Sequence, residues 1–178
     1  MNRFEFYYDW YKREEDKKVN LENSYNLPII ALSAILAYSS FMLDGFDFSN
    51  IYCRLNVFFI ILLSITAFFG LLVVFFLFRS YTNFFRTPDY DFFPYPKKLE
   101  KWYEDSKKYY KKEKKVKKNK VEVLFEEDMV EQITGYLEKN IVNNEKKAHN
   151  LYLAKQLLLC SFLSSIISSI PFLIQYIN

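Results

Sequence analysis

Residues Val57–Phe78 read VFFIILLSITAFFGLLVVFFLF, 22 consecutive positions without a charge, bounded by Arg54 and Arg79. As a helix this stretch is about 33 Å long, enough to cross the hydrocarbon core of a bilayer. A soluble domain of 178 residues cannot surround a helix that is apolar on every side, so a membrane span is the expectation. Upstream, Leu27–Leu43 (LPIIALSAILAYSSFML) is a second uncharged block. It covers about 25 Å as a helix, the lower limit for a span. Pro28 suits its first turn, where a missing N–H leaves nothing unpaired. A short turn carrying Asp44-Gly45 joins the two blocks.

Downstream, Leu157–Ile177 (LLLCSFLSSIISSIPFLIQYI) is uncharged but holds Pro171 and five serines. Ser161, Ser164, Ser165, Ser168 and Ser169 recur at three- and four-residue spacing, a small polar stripe on one helix face. In a bilayer such a stripe either packs against another helix or faces a wet cavity. Ser161, Ser165 and Ser168 are therefore candidates for lining a pore or packing helices. The expected fold is all-α: a membrane helical protein with two or three spanning helices, the third at 157–177, and a cytoplasmic helical region. The organisation reads as an N-terminal helix at 1–26, spans at 27–43 and 57–78, a Pro-containing connector and Lys-rich stretch at 79–125, and a long helix at 126–177.

Charge sets the orientation. Residues 1–26 hold five Lys and Arg, the 44–56 loop holds one, and 79–156 holds eighteen. By the positive-inside rule the N-terminus and the 79–156 region are cytoplasmic. No signal peptide is read at the N-terminus. The aromatics of 3–26 (Phe4, Tyr7, Tyr8, Trp10, Tyr11) suit either an interfacial helix or a helix packed inward in a cytoplasmic bundle.

Nine lysines fall between Lys107 and Lys120, among them Lys108, Lys111, Lys112, Lys114, Lys115, Lys117 and Lys118. Beside a membrane such a run marks topology or meets anionic lipid. The run holds no arginine, the residue that bidentate recognition favours, so direct RNA binding is not expected. From Glu126 a helical period places Val130, Ile133, Leu137, Ile141, Asn144, Ala148, Leu151 and Tyr152 on one face. No Pro or Gly intervenes between Tyr136 and Ile170, so this helix can run into the third block. Glu126, Glu127, Asp128 and Glu131 cluster at its start, where acids favour the helix dipole.

The inventory excludes much. Three Gly, one His and two distant Cys supply neither a phosphate loop nor a Cys/His zinc cluster nor a disulfide framework. No metal site, cofactor or small-molecule active site is expected.

One constellation carries chemistry. Asn143-Asn144-Glu145-Lys146-Lys147-Ala148-His149 resembles a diverged HEPN ribonuclease motif, in which an Arg, a polar residue and a His share one helix. Asn144 and His149 match the polar residue and the His, while Asn143 stands where the Arg belongs. With this motif, its spans and its Lys/Asn/Tyr/Phe-rich composition, the chain resembles the small membrane accessory proteins of type VI-B CRISPR systems. The resemblance covers the whole chain in layout and residues 143–149 in motif. It implies an antiviral effector in the bacterial cytoplasmic membrane that assembles with itself into a pore and depolarises the membrane alongside an RNA-guided ribonuclease. Without that Arg no positive charge steadies the scissile phosphate, so RNA cleavage is not the expectation, and Asn144 and His149 are expected to hydrogen-bond across protomers. Two alternatives stand beside the pore: a non-conducting anchor or regulator of a cytoplasmic partner, and a membrane-tethered HEPN-type ribonuclease.

Overall fold

The computed structural model describes residues 3–49, 54–82, 90–112 and 118–177. They form five α-helices: α1 (Arg3–Asn23), α2 (Asn26–Gly45), α3 (Arg54–Thr82), α4 (Pro96–Lys112) and α5 (Lys118–Ile177). No strand occurs among the described residues. Three segments are long and apolar enough to cross a membrane: Arg3–Gly45, Arg54–Tyr81 and Glu122–Gln175. The third apolar block thus joins the other two in that capacity.

Local chemistry places the helix ends. The chain turns between α1 and α2, where the Ser24 hydroxyl donates back to the Asn20 carbonyl (2.7 Å). Pro28 then falls on the third residue of α2, where the helix has no use for its N–H. Pro96 opens α4, with the Tyr95 carbonyl accepting from the Lys98 and Leu99 amides (2.8 and 3.2 Å).

The 79–125 stretch, expected as a connector with a lysine run, therefore contains a 17-residue helix. The long helix begins at Lys118 rather than 126. Past Pro96 no proline or glycine occurs before Gly135, and Lys, Glu and Leu are good helix formers.

By packing, the chain divides into two units, Met1–Val19 with Pro88–Glu145 (unit 1) and Asn20–Thr87 with Lys146–Asn178 (unit 2). Unit 2 holds two apolar clusters. In one, Tyr25 and Leu32 pack with Val73, Leu77, Leu151 and Ala154. In the other, Met42 and Phe46 pack with Phe59 and Leu63, flanked by Phe172. The Phe46 and Phe59 rings stack at 3.9 Å. Gly45 belongs here for room: a Cβ on it would stand 3.1 Å from the Phe172 ring.

The face that α5 buries has a period of its own. Ile133, Leu137, Asn140, Asn144, Lys147, Leu151, Ala154, Ser161, Ser165 and Ser168 are all buried. With the half-buried Leu158, they alternate by four and three residues, the 3.5-residue repeat of a coiled-coil seam. A 3.6-residue face drifts off this line within two heptads. Tyr152, expected on the buried face, is consequently 58% exposed.

Candidate functional site

Two stretches of the α5 seam are polar, one in each unit. In unit 1 the centre is Asn144, with no exposed surface. Its Nδ2 donates to the Glu14 backbone carbonyl and to Glu14 Oε2, both at 2.8 Å. Its Oδ1 accepts from the Tyr90 hydroxyl, also at 2.8 Å. One turn earlier, Asn140 donates to the Asp91 carbonyl (3.2 Å) and accepts from the Asp91 amide (3.3 Å). The Asp91 carboxylate takes an ion pair from Lys139 (3.2 Å).

The segment 90–93 is thus clasped by α5 on one side. Aromatic side chains of α1 hold the other: Phe93 packs edge-on to Tyr8 (5.5 Å), and its amide donates to the Tyr11 hydroxyl (3.1 Å). The Lys18 ammonium sits over the Tyr90 and Phe92 rings at 4.5 and 5.1 Å, a cation–π arrangement. Phe6 and Trp10 of α1 remain exposed, so only one face of that helix packs inward.

Tyr11 is 3% exposed. Burial pushes its phenol up to about 12; the Phe93 amide opposes the shift and the Glu15 carboxylate, 2.9 Å away, adds to it. A raised folded value favours the neutral phenol. Its contribution to stability is complete below the ordinary value of 10.0 and is lost as pH rises from there through about 12. Both tryptophans, Trp10 and Trp102, lie in unit 1, so their fluorescence reports its unfolding. Urea midpoints followed this way are expected to fall between about pH 10 and 12. Tyr11→Phe should flatten part of that fall.

In unit 2 the serine stripe of α5 meets α3. The Ser161 hydroxyl donates to the Thr66 carbonyl (3.1 Å). The Thr66 hydroxyl bonds Ser164 Oγ (2.9 Å), and Ser164 Oγ reaches the Leu62 carbonyl (3.2 Å). Ser168 bonds back to the Ser164 carbonyl, and Ser169 meets the Tyr38 hydroxyl of α2 at 2.8 Å. Ser165 is buried with no hydrogen-bond partner. Ser161 and Ser164 thereby meet α3, while Ser165 and Ser169 line a groove between α2 and α5.

A second clamp lies at the start of the apolar bundle. Tyr25 Oη and Ser80 Oγ are 2.9 Å apart, and Ser80 Oγ donates to the Lys147 carbonyl (2.7 Å). Lys147, buried on the seam, pairs with Glu22 at 3.4 Å.

The other sequence candidates are scattered. His149 is exposed whereas Asn144 is buried, so the two matching positions face different sides of α5. The Asn144 amide is committed within its own chain, not to a second protomer. Lys107 and Lys108 lie on α4, pairing with Glu104 (3.6 Å) and Asp105 (4.0 Å) in helical i, i+3 fashion. Lys111 and Lys112 close α4 and Lys118 opens α5; Lys114, Lys115 and Lys117 lie outside the described residues. Trp102 and Tyr103 of α4 pack edge-on to Phe125 (5.2 and 5.1 Å). Among the described residues no group of three His, Cys, Asp or Glu could hold a metal ion.

Glu14, Tyr90 and Asn140 are not among the candidates that the sequence pattern singles out. Asn140 carries a usable signal, since it precedes Asn144 by one turn on the same line. No family model, no curated protein and no solved structure matches the chain.

Proposed function

We propose that the protein is an antiviral-defence effector of the bacterial cytoplasmic membrane. In this reading several copies assemble into a pore, with the N-terminus cytoplasmic, and depolarise the membrane alongside an RNA-guided ribonuclease. The observation that carries the membrane part is the inverted polarity of unit 2. The hydroxyls of Thr66, Ser80, Ser161 and Ser164 and the buried Lys147 ammonium turn inward and are bonded there. No more than a third of each apolar window is buried, which leaves Ile30, Phe41, Phe68, Leu71, Phe75 and Ile167 bare. In water that surface would aggregate, whereas in lipid it is at rest. Three spans are too few to enclose an aqueous path, so conduction requires several copies. The defence context rests on the resemblance at Asn144 and His149.

The non-conducting anchor or regulator is a second reading. It draws support from the same hydroxyls, because Ser161 and Ser164 bond to α3 instead of lining a path. The ribonuclease reading gains nothing from the separate faces of Asn144 and His149.

Liposome reconstitution with a potassium gradient and a potential-sensitive dye separates the first two. The expected result is dissipation of the gradient, rising steeply with protein density, together with cross-linked multimers. Inserted, cross-linked protein in vesicles that stay sealed when the nuclease is also present would overturn the pore and leave the anchor.

A further inference from the structure

We propose that a groove between α2 and α5 holds one anionic phospholipid, its phosphate on the Lys155 ammonium and an acyl chain along the groove. The groove has a volume of about 870 Å³. It is open because α2 presents Ala31 and Ala34 there, one turn apart, while α5 supplies Leu158, Phe162 and Ile166. Its lining on α5 runs from Lys155 to Leu173, about 27 Å of helix. That approaches the ~30 Å thickness of a hydrocarbon core and exceeds one leaflet.

Lys155 is the only charged residue of the lining. It is exposed, two residues ahead of the apolar block, the level at which headgroups lie. Among the described residues of unit 2 no carboxylate answers it. The described carboxylates of unit 2 are Glu22, Asp44 and Asp47. Glu22 is bonded to Lys147, and the other two lie at the far end of α2. Arg79 and Lys146, both exposed, add positive charge around the Ser80–Lys147 contact. A phosphate diester with a net negative headgroup complements this end of the bundle, and hydrocarbon complements the groove beneath it. A parallel helix from a second copy would fill the hollow but bring no unpaired carboxylate of unit 2 to the level of Lys155.

The inference is independent of whether ions pass. The test is native mass spectrometry of the full-length chain, purified in detergent and exposed to phosphatidylglycerol or phosphatidylcholine. One phosphatidylglycerol per chain is expected, retained about fivefold better than phosphatidylcholine, which is what one lysine at an anionic surface is worth. Lys155→Gln, an exposed change that leaves the fold alone, should erase that preference. Ala34→Leu, which fills the groove, should lower retention of both lipids while helicity by circular dichroism is kept. Equal phosphatidylglycerol retention by wild type and Lys155→Gln would overturn the proposal. So would an Ala34→Leu variant that loses its multimers but keeps its lipid, and that outcome would assign the groove to a second copy.

Discussion

Asn144→Asp is expected to unfold unit 1 at neutral pH. The new carboxylate would replace an amide donor that now lies 2.8 Å from Glu14 Oε2 and has no exposed surface. Two carboxylates at hydrogen-bond distance cannot both stay ionised, and breaking a buried, charge-assisted network costs about 3–5 kcal/mol. Acidification should restore part of the loss. The introduced group, buried beside Glu14, would hold its proton more tightly in the folded chain than in the unfolded one. Its penalty is therefore absent below the ordinary carboxylate range and grows as pH rises through the folded value. Asn144→Ala should cost less, about 2–3 kcal/mol, by orphaning the Glu14 and Tyr90 partners. His149→Ala, at an exposed position, should stay within about 0.5 kcal/mol. Urea titration by tryptophan fluorescence at acidic and neutral pH reads all three. An Asn144→Asp variant as stable as wild type at pH 7 would mean that the Glu14 contact is not formed.

Ser161→Leu is expected to have the largest effect in unit 2. Ser161 has no exposed surface, and its hydroxyl touches a backbone carbonyl of α3, so the two helices approach closely at that level. A leucine there would force them apart, which costs about 1–3 kcal/mol when backbone must shift. Ser161→Ala keeps the approach and loses only one hydrogen bond, worth about 0.6 kcal/mol in a membrane bundle. Thermal unfolding in detergent should rank Ser161→Leu well below both wild type and Ser161→Ala. A disulfide between cysteines placed at facing positions of α3 and α5 should form more slowly in the leucine variant. Indistinguishable leucine and alanine variants would show that the contact is loose.

Much of the bundle is legible in the amino-acid sequence. Val57–Phe78 declares itself because an unbroken apolar run needs no partner to be recognised. The serine stripe is legible as a stripe, although its partners on α3 are not. Thr66 and Leu62 lie 98 and 102 residues from Ser164, and periodicity carries no information across such a gap. The same holds for Glu14, 130 residues from Asn144. An amide on an apolar face announces that it needs a partner without saying which. The helix α4 is hidden because three prolines nearby suggest a connector, yet the last of them starts a helix instead of ending one. Tyr152 is misplaced by a face of 3.6 residues, where the buried line follows 3.5. The two periods part company over the length that α5 attains.

The serine stripe has one more property. Ser161 and Ser164 stand to Ser165 and Ser168 as each residue stands to the one four positions on. Moved by four residues, about 6 Å along its axis, α5 would offer α3 the same pair of hydroxyls again. The stripe is therefore degenerate in register: it specifies which helices touch and how closely, but not how far one has slid along the other. That distance is set at the two ends of the bundle. At one end the Lys147 ammonium pairs with Glu22 at 3.4 Å. At the other, Phe172 fits against the bare Cα of Gly45, and Gln175 bonds the Asp47 carbonyl at 2.7 Å. Neither contact has a copy one turn away, so these end contacts, and not the hydroxyls between them, index the long helix.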